Sequence, residues 1–129
     1  MPVIVAHAGL EEEWALEADS QGEHLALNSP GGENWIAEGP NLWESFRQLR
    51  RSTEPLGLRL CCNGARINAC VSRMGIEMGG GGGVYLVKLG HPVRHRRQLV
   101  SLFGYAPARK VVTLTEQDAF YERWLRSLG

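Results

Sequence analysis

Three cysteines, two of them adjacent, are the side chains best suited to covalent chemistry: Cys61, Cys62 and Cys70 in "LRLCCNGARINACV". A thiol reacts as its thiolate, and an electropositive surround favours that form. Asn63-Gly64 is the preferred pair for a two-residue hairpin turn with both central residues at positive φ. Such a turn sets Cys61 opposite Arg66, with Arg59 on the same face. Alternation along the two strands then gathers Leu58, Leu60, Cys62, Ala65, Ile67, Ala69 and Val71 on an apolar face. Arg59, Cys61, Arg66, Asn68 and Cys70 take the polar one. Cys61 with Arg59 and Arg66 is therefore a candidate reactive-thiol site. A base is also required, and His7, His24, His91 and His95 are all distant in sequence. Cys61 and Cys70 would lie about 13 Å apart along the strands, beyond disulfide reach. The thiols lack the paired spacing of a zinc site. His91 and His95 are four residues apart, but Arg94, Arg96 and Arg97 crowd them with positive charge. No metal and no cofactor are expected.

A second candidate is the glycine run in "RMGIEMGGGGGVYLVKLG". A phosphate loop needs Lys and Ser or Thr after its glycines, then a helix whose N-terminus meets the anion. Here the glycines lead into the apolar run "VYLVKL", which reads as a central strand. A nest of N–H groups beside Arg73 is the residual anion-binding form. Met74 and Met78 edge the run, and methionine surfaces adapt to partners. The commonest use of such a run is a flexible connection into a strand. For contact with a protein partner the favoured loop is residues 73–83, with Arg73, Met74, Met78, Gly80, Gly81 and Gly82 as its contact residues.

The third is the basic segment "HPVRHRRQ" with Arg109 and Lys110. Arg94, Arg96, Arg97, Arg109 and Lys110 form a candidate site for an anionic ligand or nucleic acid. The formal net charge is nevertheless zero, whereas dedicated nucleic-acid binders are strongly basic. The charge is segregated. Residues 1–50 carry nine acids and two bases, and residues 51–129 five acids and twelve bases. Either the halves face and neutralise each other, or one presents a charged face to a partner of opposite sign.

The elements that must position these groups belong to a chain of 129 residues with 43% hydrophobic content. That length suits a single domain, 1–129. No apolar run approaches a membrane span, and the N-terminal stretch lacks the pattern of a secretory signal. An odd number of cysteines fits a reducing compartment, with cytoplasm the expected location. Val3–Ala6 reads as a buried strand, and residues 10–18 fit a helix or a strand, with a hairpin through "HLALN" preferred. "NWIAEG" reads as a further strand. A helix follows over "PNLWESFRQLRRSTEPLG", capped by Asn41 with Glu44 three residues on. Leu42, Trp43, Phe46 and Leu49 form its apolar stripe, and Arg47, Arg50 and Arg51 suit the dipole at its end. "HPVRHRRQLVSLFG" reads as a short helix ending at Gly104, and "RKVVTL" as a strand or arm. The last helix is expected over "TEQDAFYERWLRSLG", capped by Thr115, with Phe120, Trp124 and Leu128 as its apolar edge.

These readings converge on an α+β fold: a mostly antiparallel sheet with two or three helices packed on one face. The function expected is that of a small, non-catalytic, cytoplasmic interaction module with a protein partner, of the immunity or regulatory-accessory type. The alternatives are a thiol-dependent or nucleotide-handling enzyme around Cys61 and the glycine loop, and an anion or nucleic-acid binder using residues 88–110. No membrane association is expected, and nothing in the sequence sets an oligomeric state.

Overall fold

Alternation of apolar and polar residues dominates the first forty residues, and they fold as an antiparallel meander. The computed structural model describes residues 1–73, 80–93 and 99–129. Strands β1 (Pro2–His7), β2 (Leu10–Ala18), β3 (His24–Asn28) and β4 (Asn34–Glu38) pair in succession. A short β5 (Arg59–Leu60) joins the far side of β1, giving the order β4-β3-β2-β1-β5. Residues 10–18 are thus a strand. Val3, Val5, Trp14, Leu16, Leu25, Leu27 and Ala37 point inward and are buried. Trp14 stacks on Trp35 with ring centroids 5.5 Å apart.

Helix α1 (Leu42–Thr53) covers this inner face with Trp43, Phe46 and Leu49. Each large apolar side chain buried there contributes about 1.5–3 kcal/mol. The Asn41 side chain accepts from the Glu44 N–H at 2.9 Å, as the sequence indicated. A 3-10 turn through Pro55 and a left-handed Gly57 end the helix. A second sheet of β6 (Ala69–Cys70), β7 (Gly83–Leu86) and β8 (Leu99–Ser101) runs in the order β6-β7-β8. Helix α2 (Leu114–Ser127) packs Trp124 and Phe120 against Cys70, Tyr85, Val87 and Leu99. One main apolar cluster runs from Val3 to Val111, with this smaller one beside it. The fold is α+β, with two α-helices among the described residues.

Several local expectations are corrected. Asn63-Gly64 does not turn a hairpin. Asn63–Ala65 is a 3-10 turn, and the strands on either side belong to different sheets. Gly64 has no positive φ; it is needed for proximity. A Cβ there would lie 2.8 Å from Leu102 Cγ and 3.1 Å from the Phe46 ring. Ile67, assigned to the apolar face, is exposed. Residues 99–101 are a strand paired with β7, not the end of a helix. Gly104 lies close to Asn63, where a Cβ would stand 2.6 Å from its Nδ2. Residues 108–110 form a 3-10 turn. The last helix begins two residues earlier than expected. Thr113 caps it and exchanges hydrogen bonds with Glu116 in a complete capping box. Of its expected edge, Trp124 is buried and Leu128 exposed.

The two-residue turn with both residues at positive φ occurs instead between β1 and β2, at Ala8 (φ 53°) and Gly9 (φ 81°). An L-residue other than Gly, Asn or Asp is disfavoured there by roughly 1 kcal/mol. Ala8→Asn should stabilise the protein by about 0.5–1 kcal/mol, read as a higher denaturant midpoint with an unchanged slope.

Candidate functional site

The three sites anticipated from sequence meet different fates. Cys61 lies on the outer side of the five-stranded sheet, next to Leu60, which pairs with Val5. Its Sγ is 3.7 Å from Glu11 Oε1 and 3.8 Å from the Arg59 carbonyl oxygen. Burial, then the Glu11 charge and hydrogen bond, push the thiol up to about 11. Burial likewise raises Cys62 to about 12 and Cys70 to about 11. All three are free and buried. Without the hairpin, Cys61 and Arg66 do not oppose each other; Arg66 bridges to Val111 and Arg59 pairs with Ala6. A carboxylate, not a guanidinium, is therefore the thiol's charged neighbour. That environment holds the sulfur protonated and opposes nucleophilic chemistry.

Glu11 is the organiser of this corner. Besides Cys61, it accepts from the Tyr105 hydroxyl at 3.0 and 3.2 Å and from the Ala108 N–H at 3.3 Å. The Ala106 N–H donates to the Cys61 carbonyl at 3.1 Å. Residues 105–108 are thereby fastened along the β5 edge. The hydrogen bond to Glu11 also raises the Tyr105 phenol above its ordinary value. Sequence spacing offers no signal for a contact between residues 94 positions apart.

Of the anion-site residues, Arg109 and Lys110 are exposed on the turn just after this segment; Arg94, Arg96 and Arg97 lie outside the described residues. Among the described residues no group of three His, Cys, Asp or Glu side chains is placed to hold a metal.

The glycine loop is put to a structural use where it is described. The Gly80 carbonyl accepts from the Leu42 N–H at 2.8 Å, and the Gly82 carbonyl from the Leu102 N–H at 2.9 Å. Leu42 is the first residue of α1, so a backbone carbonyl satisfies one of the N–H groups the helix leaves unpaired. The loop thus gives the helix an acceptor, the converse of a phosphate cradle. Gly81 (φ 83°) comes so near that a Cβ would sit 2.8 Å from the Trp43 nitrogen. Arg73 is exposed, and Met74 and Met78 lie outside the described residues.

A cleft of about 270 Å³ opens between α1 and α2, lined by Trp43, Glu44, Arg47, Cys70, Asp118 and Tyr121 among others. Among the described residues, Arg47 is the cation that lines it, and it is already engaged. Arg47 donates to Asp118 at 2.7 Å and to Gln117 at 2.7 Å, and lies over the Trp43 ring. Among the described residues the cleft thus offers no uncommitted cation to hold an anionic substrate, and beyond the Arg47–Asp118 pair its charged wall residue is the Glu44 carboxylate.

The outer face of the five-stranded sheet is different. The pairing register places Glu38, His24, Ile36, Ala26, Glu17, Ala15, Glu13, Ile4, Ala6 and Glu11 on it. Glu13, Ala15, Glu17, His24, Ile36 and Glu38 are exposed. Among the described residues, no ion pair joins Glu11–Glu38 to a lysine or arginine. Four of the nine acids of residues 1–50, namely Glu11, Glu13, Glu17 and Glu38, are therefore gathered on this face, without a lysine or arginine partner among the described residues. His24 is held by Asp19 at 2.7 Å and lies 3.6 Å from Glu38. The Asp19 hydrogen bond raises the imidazole above its ordinary value. This stabilising contribution is fully present below the ordinary histidine value and fades as pH climbs through the raised one. Rising pH also makes the face more negative.

No family model and no curated protein matches the chain.

Two outcomes are expected. Gly80 and Gly81 both have left-handed φ, but only Gly81 faces a collision. Gly80→Ala should cost about 1 kcal/mol, whereas Gly81→Ala should cost about 1–3 kcal/mol more through overpacking on α1. Equal denaturation midpoints for the two variants would show that the loop does not dock. Iodoacetamide at pH 8 should modify Cys61 roughly 100-fold more slowly in the folded protein than in the denaturant-unfolded chain, from its raised ionisation alone. Labelling of folded Cys61 at the unfolded rate would reinstate an activated thiol.

Proposed function

We propose that this protein is a small non-catalytic interaction module that binds a basic protein partner through the outer face of its five-stranded sheet. The observation that carries the reading is the exposed row of Glu13, Glu17 and Glu38 around Ile4, Ala15, Ala26 and Ile36. Small and apolar side chains give such a face contact area, while its carboxylates steer a basic partner and set its register. The protonated thiols and the self-satisfied Arg47 cleft support a binding role over a catalytic one. An immunity-type or regulatory accessory protein, which acts by covering a basic surface on another protein, is the concrete form. Three free buried cysteines support a cytoplasmic setting. No helix among the described residues is long and apolar enough to cross a membrane.

Affinity capture with the full chain should recover a partner whose bound surface is rich in Lys and Arg. The double variant Glu13→Lys, Glu17→Lys should fold normally by circular dichroism and lose that partner. The association rate of the native pair should fall steeply as ionic strength rises. Equal capture by the native chain and the double variant would exclude the acidic face as the binding surface.

A further inference from the structure

The two edges of the five-stranded sheet are not treated alike. On the β5 side, residues 105–108 lie alongside, with the Ala106 N–H bonded to the Cys61 carbonyl and Cys62 bridged to Tyr105. On the β4 side, no strand among the described residues pairs beyond Asn34–Glu38.

The hydrogen-bond phase of β4 can be read from its ends. Ser29 N–H donates to the Glu33 carbonyl at 2.9 Å, and Gly39 N–H to the Glu23 carbonyl at 3.0 Å. In an antiparallel ladder, bonded and non-bonded pairs alternate. The bonded pairs between these ends are therefore Leu27 with Trp35 and Leu25 with Ala37. Asn34, Ile36 and Glu38 consequently direct their N–H and C=O groups away from β3, toward the open edge.

Open edges are ordinarily guarded by lysine, proline, a bulge or an inward charge. The sequence of β4, Asn-Trp-Ile-Ala-Glu, has no lysine and no proline, its register with β3 is unbroken, and its single charge, Glu38, stands at its end, away from the centre. Its centre is Ile36, 66% exposed.

The geometry points to this edge as a homodimer interface, in which β4 pairs antiparallel with β4 of a second copy about a two-fold axis at Ile36. The outward-directed residues of one strand meet those of the other in phase. Ile36 opposes Ile36, and Asn34 opposes Glu38, each pair exchanging both backbone bonds. Such an isologous contact is self-complementary by symmetry. The side chains agree with the register. The two isoleucines meet on the outer face. The Asn34 amide, whose Nδ2 already donates to Asn28 Oδ1 at 2.7 Å, retains a second N–H for the opposing Glu38 carboxylate. No like charges stand directly across from each other, which would oppose pairing. The product is one continuous sheet whose outer face joins the two acidic faces. This inference is independent of the proposed binding function.

The test is sedimentation velocity on the full chain over a concentration series, together with two variants. Ile36→Pro removes an N–H that the monomer does not use, a substitution edge strands accept. Ile36→Lys adds the missing guard. The native chain should move from monomer to dimer as concentration rises, and both variants should stay monomeric with native circular dichroism. If the proline variant fails to fold, the lysine variant alone decides. Mild oxidation of Ile36→Cys should give a 36–36 disulfide dimer, because directly opposed residues of a bonded pair lie within disulfide reach. The same treatment of Leu10→Cys, exposed but remote from this edge, should not. A native chain that is monomeric into the millimolar range overturns the proposal. So does a dimer that survives Ile36→Lys, or an edge that binds a segment of a different protein while the chain stays monomeric.

Discussion

A buried guanidinium holds the two halves of this molecule together. Arg50, only 1% exposed, donates to Glu54 at 3.0 Å, Gln117 at 2.8 Å and the Val112 carbonyl at 2.7 Å. Its group lies over the Phe46 ring. Desolvation lowers it to about 10, with Glu54 opposing that shift, so it remains charged at neutral pH. A buried charge with incomplete hydrogen bonding is costly, and Glu54 satisfies only Nε, so residues 112–117 supply the partners that let Arg50 lie buried as helix α1 packs on the sheet. Gln117 extends the network, since its Nε2 donates to the Gly64 and Arg66 carbonyls at 2.8 Å. One amide thus serves α1, α2 and the turn at 63–65 together. Glu54 in turn accepts from the Leu114 N–H at 3.0 Å, at the start of α2.

The same logic explains why the remaining polar features are structural. Arg47, Asp118 and Gln117 satisfy one another within the cleft, and Glu11 satisfies Tyr105, Ala108 and Cys61 at the sheet edge. Chemistry requires groups left poised, whereas these are consumed by packing. Among the described residues, Arg59 Nη1 and Arg66 Nε are buried without a hydrogen-bond partner, and the outer sheet face and one strand edge remain open to contact with other chains.

Local patterning made the first half legible. Alternation marks β1 to β4, and Asn41 with Glu44 marks the start of α1. The capping box of α2 was also written in the sequence, since Thr113 stands three residues before Glu116; the nearby Thr115 drew attention from it. The second half resists because its determinants are remote. Asn63-Gly64 has the local preference of a hairpin turn, but Leu102 and Phe46 press against Gly64, and the flanking strands find partners in separate sheets. Arg47 and Arg50 have the spacing of dipole-compensating surface residues. Their burial depends on Gln117, about seventy positions away, and no periodicity encodes that pairing. The candidate thiol site loses Arg66 for the same reason, because the opposition of Cys61 and Arg66 requires a turn that does not form.

The distribution of the thiols has a consequence for how the protein's motions can be watched. Cys62 belongs to the main apolar cluster and Cys70 to the smaller one under α2. Cys62 is sealed within its layer, and Cys70, though it borders the cleft between α1 and α2, is itself only 6% exposed, so closure of each layer restricts access to both. Modification of each would be gated by the opening of the structure around it, and layers of unequal stability open at unequal rates. The chain thus carries two native chemical clocks, one for each cluster. Their relative speeds would show whether α2 lifts from the small sheet on its own or only when the whole molecule unfolds.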